Sequence, residues 1–184
     1  SVDPPIAAAA GKRVVATSRI GKRLVLSLDD DLHLVIHLMI AGRLRWKKPG
    51  APVPGKIGLA AFDFVHGTLV LTEASPKKRA SLHVVCGREA LAAFARGGVD
   101  LMTATTAEVA AALRAENHTI KRALTEPTVI DGVGNAYSDE ILHRARMSPF
   151  RQTRQLDDAE VAHLHAVARA VLREPVGVLR RDGD

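Results

Sequence analysis

A single cysteine, Cys86, serves all 184 residues. One thiol closes no disulfide framework and builds no cysteine zinc cluster, which leaves a reduced, intracellular setting as the default. Aromatic side chains make up 3% of the sequence, so a core must be assembled from Leu, Val, Ala and Ile. No apolar run approaches the roughly 20 residues that a bilayer-spanning helix requires. The opening "PPIAAAAGKR" is too short for a secretory signal, and its charge follows the apolar part instead of preceding it. Internal repeats are absent.

Hydrophobic residues reach 47% and charged residues 25%, the balance of a globular chain. The net charge is +6 and the isoelectric point is near 9.9. That excess suits a polyanionic partner through counterion release; ordinary surface charge produces the same number.

Up to about residue 96 the pattern has a period of two, the mark of strands. In "RVVATSRIGKRLVLSLDDDLHLVIHLMIAGRLRW", Leu24, Leu26 and Leu28 share one face. Leu32, Leu34, Ile36 and Leu38 share another, with His33, Val35 and His37 opposite. "IGK" and "DDD" are turns of a meander. "LAAFDFVHGTLVLTEA" is a further hairpin, turning at His66-Gly67, and "ASLHVVC" another strand. "KKPGAPVPGKIG", residues 47–58, is a Pro/Gly loop. Strands this short and this closely spaced predict an antiparallel β-sandwich.

After "RGGVD" the period changes to helical. "TTAEVAAALRAEN" is capped by Thr105 or Thr106, and "TIKRALTEP" stops near Pro127. "AYSDEILHRAR" and "LDDAEVAHLHAVARAVLRE" complete the set. Asp157 with Glu160 forms a capping box, Asp standing in for Ser or Thr. The expected fold is α+β: a sandwich over 1–96, then an all-helical domain over 97–184.

"VIDGVGNAYSDEIL", residues 129–142, places two glycines and an asparagine before a helix. Glycine permits positive φ and close approach. Consecutive N–H groups at a helix start bind anions, and Asn135 adds a side-chain donor. A plain connection with Asn135 as N-cap explains the same letters. The flanks favour a phosphate: Lys121 and Arg122 precede the turn, and Arg144, Arg146, Arg151 and Arg154 follow it. A helix pair with such a turn can clamp a nucleic-acid backbone.

The segment "NHTIKRALTEPTVIDGVGNAYSDEILHRARMSPFRQTRQL" resembles the helix-two-turns-helix of the formamidopyrimidine-DNA glycosylase / endonuclease VIII family. Upstream, "RIGKRLVLSL" and "HLVIHLMIAGRLR" resemble that family's "RRGKYLLLEL" and "LLIHLGMSGRLR". The likeness spans roughly residues 11–175. It implies excision of oxidised bases followed by cleavage at the abasic site, on damaged double-stranded DNA, by a monomer with no membrane attachment. It also implies which residues meet the DNA: Asn135, His37, and Lys56 in "PGKIGLAAF"; the turn and its basic flank add Gly132, Gly134 and Lys121 as expected DNA-binding residues.

Three departures qualify the resemblance. The family's nucleophile is an N-terminal proline followed by glutamate, attacking the sugar C1′ to form a Schiff base; here Pro4 and Pro5 are internal. No catalytic residue is therefore expected among these 184. The family's zinc-binding finger has no counterpart here, so no cofactor or metal is implied. The side chains that fill the gap left by a flipped base also differ. The methionine position falls on Ile40, with Met39 one residue early, and "PRRFG" falls on "PKKRA", which puts Lys78 and Arg79 there as expected DNA-binding residues, the basic charge kept and the aromatic lost. Two readings follow: part of a DNA glycosylase with lyase activity, or a non-catalytic DNA- or RNA-binding module. A helix-two-turns-helix also occurs in a small-subunit ribosomal protein, but the strand domain resembles the glycosylases.

Overall fold

The computed structural model describes residues 4–181, with side chains described as far as residue 174. The chain divides into two units, Ser1–Phe94 and Ala95–Asp184.

The first unit follows from the alternating leucines. Strands β1 (Val14–Ile20), β2 (Arg23–Leu28), β3 (Leu32–His37), β4 (Gly42–Lys47), β5 (Gly58–Phe64), β6 (Gly67–Glu73) and β7 (Ser81–Cys86) form two antiparallel sheets. Their orders are β1-β2-β3-β7 and β4-β6-β5. The β2–β3 register pairs Leu24 with Ile36 and Leu26 with Leu34, so the leucines share a face. Leu28, Leu32, Leu34 and Val84 make a core against which Phe62 of the second sheet packs.

The opposite face of β3 is buried too, which the period-two pattern does not reveal. Val25 and Val35 are fully buried and His33 nearly so. A short helix, α1 (Arg88–Ala92), returns the chain to this side. Beyond it, the Phe94 ring sits 5.3 Å from His83 and 5.6 Å from the Arg23 guanidinium. His33 is fixed by the Ser27 hydroxyl at 3.0 Å and the Asp31 carboxylate at 3.1 Å.

The β5–β6 turn is Val65–His66, one residue earlier than the expected His66-Gly67. Gly67 serves packing: a Cβ there would lie 2.5 Å from the Trp46 ring. Because β4 and β5 both pair antiparallel with β6, they run parallel to each other. The loop 48–57 must therefore travel back along the sheet, which delivers Lys56 to the Gly42–Glu73 end.

The second unit begins with β8 (Val99–Asp100), α2 (Thr106–Ala115) and α3 (Ile120–Thr125). It continues through β9 (Ile130–Asp131), α4 (Asn135–Ala145) and α5 (Asp158–Arg181). It is not all-helical: β8 and β9 pair in parallel, Val99 with Ile130 and Asp100 with Asp131. Two-residue strands leave no periodic trace in a sequence. Val109, Leu113, Ile120, Leu124, Ile141 and Leu164 form the centre of its core.

Caps fix the helix starts. Thr105 and Glu108 form a reciprocal box on α2, and the Thr119 hydroxyl accepts from the Arg122 N–H. Asp157 accepts from the Glu160 N–H at 2.8 Å, and the Glu160 carboxylate from the Asp157 N–H at 3.1 Å. Buried His165 ties α5 to the start of α2 through the Leu101 carbonyl at 2.9 Å and the Thr106 hydroxyl at 3.1 Å. Among the described residues, no helix is long and apolar enough to cross a membrane.

Thr153 holds the connections before α3 and after α4 together. Its hydroxyl donates to the Glu116 carbonyl at 3.1 Å and accepts from the His118 N–H at 3.2 Å, with no exposure to solvent. Thr153→Val keeps the shape but leaves both backbone groups unmet, so chemical denaturation should show a loss of about 1–3 kcal/mol. Thr153→Ser should retain most of the stability.

Candidate nucleic-acid interface

The two glycines of the turn before α4 do different things. Gly132 has φ 87, in the left-handed region that favours glycine, and its N–H donates to the Asp131 carboxylate at 2.9 Å. Gly134 is ordinary extended backbone, φ −109 and ψ 177, and is the N-cap of α4. It brings no capping side chain. The first helical bond runs from the Ser138 N–H to the Gly134 carbonyl at 2.9 Å. The N–H groups of Asn135, Ala136 and Tyr137 therefore have no acceptor among the described residues, as the geometry of a helix start dictates. Asn135 itself occupies the first helical position, and its carboxamide is exposed. The simple capping role considered for Asn135 is thus not the one it occupies.

The basic flanks divide into engaged and open cations. The Lys121 ammonium bonds the Asp139 carboxylate, just past the first turn of α4. Arg144 binds Glu140 at 2.6 Å and also Glu174, contacts that hold its own pKa above the ordinary arginine value, Glu174 first. Arg151 is held by the Glu160 carboxylate and the Gln155 carbonyl. Arg122, Arg146 and Arg154 are exposed and without an ion-pair partner among the described residues.

In the first unit the candidates lie at one end of the strands. His37 closes β3 and pairs in register with Arg23. Burial pushes its pKa below the ordinary 6.5, with the Arg23 and Lys22 charges acting in the same direction. The imidazole is therefore neutral at pH 7 and offers an N–H beside two cations, a suitable arrangement for a phosphate oxygen. Lys22 and Arg23 were not singled out from the sequence. The available signal was their position at the "IGKR" turn, which the β2–β3 register carries to His37.

The turn after β3 displays two apolar side chains. Met39 has φ 55 and is 42% exposed, whereas Ile40 is 86% exposed. The Gly42 N–H closes the turn on the Leu38 carbonyl at 2.9 Å, and a Cβ at Gly42 would run into that carbonyl. Of the two base-gap candidates, Ile40 stands furthest into solvent.

Lys56 is exposed on its loop. The Lys78 ammonium is directed inward, to the Lys56 carbonyl at 3.1 Å and to the Glu73 carbonyl. The Arg79 side chain is exposed. Glu73, buried to 2% exposure at the end of β6, organises this region. Sequence reasoning passed over it as an ordinary strand-end acid. Among the described residues no cluster of His, Cys, Asp or Glu is placed to hold a metal.

Two family models match the chain. The formamidopyrimidine-DNA glycosylase N-terminal domain matches residues 3–89, and the formamidopyrimidine-DNA glycosylase H2TH domain matches 99–181. Together they account for both units. The chain belongs to the formamidopyrimidine-DNA glycosylase family.

The formamidopyrimidine-DNA glycosylase of Roseiflexus sp. (strain RS-1) is 38% identical over 177 residues, with 95% of this chain and 64% of that protein covered. The one from Heliobacterium modesticaldum is 31% identical, with 90% and 62% covered. The Lactococcus lactis formamidopyrimidine-DNA glycosylase, solved non-covalently bound to DNA containing an AP site, superposes with a TM-score of 0.79 at 27% identity; 91% of this chain and 65% of that one are covered. A structure of MutM in complex with DNA containing carbocyclic 8-oxo-G gives 0.77 at 26% identity, with 89% and 62% covered. The chain thus spans somewhat under two thirds of these relatives.

In this glycosylase-family domain, His37 and His83 both sit below the ordinary histidine value, each chiefly through burial. A group whose folded pKa is depressed binds fewer protons than its unfolded counterpart, so stability is lost as pH falls below about 6.5. The melting temperature should drop steadily between pH 7 and 5.5, and His37→Gln with His83→Gln should flatten the decline. The lowered carboxylates Asp30, Glu108, Glu160 and Glu174 start from 3.8 to 4.5 and act below this window.

Proposed function

We propose that this chain forms the DNA-engaging part of a base-excision repair glycosylase acting on oxidised bases in duplex DNA, with abasic-site lyase activity in the whole protein. One observation carries the reading. The first turn of α4 offers three backbone N–H groups and an exposed carboxamide with no internal acceptor, in a chain whose solved relatives are bound to lesion-bearing or abasic DNA. Such a helix start receives a phosphate through its dipole and its unpaired donors. Lys22, Arg23 and His37 supply a second phosphate seat in the first unit, and Lys56 and Arg79 a third. Ile40 is suited to enter the base stack where a nucleotide has been turned out.

Two expected outcomes test this reading. Titration of the chain with a duplex carrying an abasic-site analogue should give a log–log salt slope of about −3 to −5, as for three to five neutralised phosphates. A flat salt dependence contradicts it.

Asn135→Ala should cost at most about 0.5 kcal/mol of stability, because the residue is exposed and makes no cap. The same change should weaken duplex affinity by roughly 10-fold or more, the worth of a hydrogen bond to a charged group. A lowered melting temperature with unchanged affinity reverses the assignment. Equal affinity for abasic and intact duplex would favour a general binding module over damage recognition.

A further inference from the structure

We propose that Glu73 is the positioning residue whose carboxylate sets the cation-bearing loop 74–80, beside the Lys56-bearing loop 48–57, for contact with the DNA backbone; this rests on the DNA-binding reading above. Neither loop contains regular structure. Each must nevertheless present a charge, Lys56 on one and Arg79 on the other, at a fixed place. Loose loops would meet an ordering cost on binding.

Glu73 removes that looseness from a rigid base. It ends β6, the central strand of its sheet, and pairs in register with Gly42 of β4. Its side chain is aimed inward. The carboxylate Oε2 accepts from the Arg79 N–H at 2.8 Å and from the Ala80 N–H at 3.0 Å. This pins the end of loop 74–80 where the Arg79 side chain departs. The Glu73 backbone N–H donates to the Ile57 carbonyl at 2.8 Å, beside Lys56. The Glu73 carbonyl accepts from the Lys78 ammonium, which also donates to the Lys56 carbonyl at 3.1 Å.

Glu73 therefore holds loop 74–80 by its carboxylate and meets loop 48–57 by its backbone, and Lys78 bridges the two. The Lys78 ammonium is engaged by these two backbone carbonyls. Burial of a carboxylate is costly unless its oxygens are met, and here two backbone donors meet one of them. A residue serving only the core of the sheet would be apolar at this position. A carboxylate is required because the groups to be held are backbone N–H donors on a loop.

A double-mutant cycle on the full chain tests this, read as affinity for a duplex with an abasic-site analogue at a temperature where melting curves show every variant folded. Arg79→Ala alone should weaken binding by about 10-fold, and Glu73→Ala by about as much. Together they should weaken it by no more than about twofold beyond Glu73→Ala, because the arginine is already misplaced. Asn135→Ala, in the other unit, should add in full to Glu73→Ala. Glu73→Gln keeps an oxygen acceptor of the same reach and should recover much of the loss; it carries the cycle if Glu73→Ala does not fold. Unchanged affinity in a folded Glu73 variant, or full additivity with Arg79→Ala, overturns the proposal. If Arg79→Ala and Asn135→Ala both leave affinity unchanged, the DNA-binding reading has failed, and this proposal with it.

Discussion

Backbone N–H groups at the start of a helix must find an acceptor, and α4 is built without one. Its neighbours α2, α3 and α5 open under Thr105, Thr119 and Asp157, each of which satisfies a donor internally. At α4 the corresponding place is Gly134, which has no side chain to cap with, and the exposed Asn135 carboxamide leaves the helix start uncapped. The fold around this point serves to hold it still. Gly132 turns the chain, β8 and β9 brace the approach, and Ile141 and Leu142 anchor the helix in the core. Hydrophobic packing supplies the rigidity, and unmet donors of this kind are what a helix start offers to an anion.

Charge is handled by the same economy of partners. A net charge of +6 is only a bulk figure; what matters is which cations remain available. Arg144 and Arg151 stitch α4 and its following loop to α5, and Lys121 ties α3 to α4 through Asp139. These pairs are exposed and individually worth little in stability, but they take three cations out of competition for a ligand. In the first unit His37 stays neutral among Lys22 and Arg23, so the cluster combines two charges with one directional donor. Phosphate contacts, where a duplex is bound, fix register without reading sequence.

Much of this was legible in the residues themselves. Leucine alternation in β2 and β3, Thr105 with Glu108, and Asp157 with Glu160 are local signals, and each element formed where its pattern placed it. What stayed hidden depends on partners distant in the chain. Burial of His33 and Val35 comes with the return of the chain to that face around Phe94, some sixty residues on. The β8–β9 pair joins residues about thirty apart with two bonds' worth of pattern. Glu73 looks like any acid closing a strand until loop 74–80 folds back onto it. Asn135 illustrates a one-residue ambiguity: four letters could not separate N-cap from first helical position, and the separation decides whether its side chain is committed to the helix or available to a ligand.

Amide hydrogen exchange across the chain, with and without a duplex containing an abasic-site analogue, tests the central claim most directly. The account predicts slowed exchange at residues 132–138, where the N–H groups gain a phosphate acceptor, together with slowing at 21–23 and 37–40. Unchanged exchange at 132–138 in the presence of bound duplex, or protection confined to other surfaces, would contradict it.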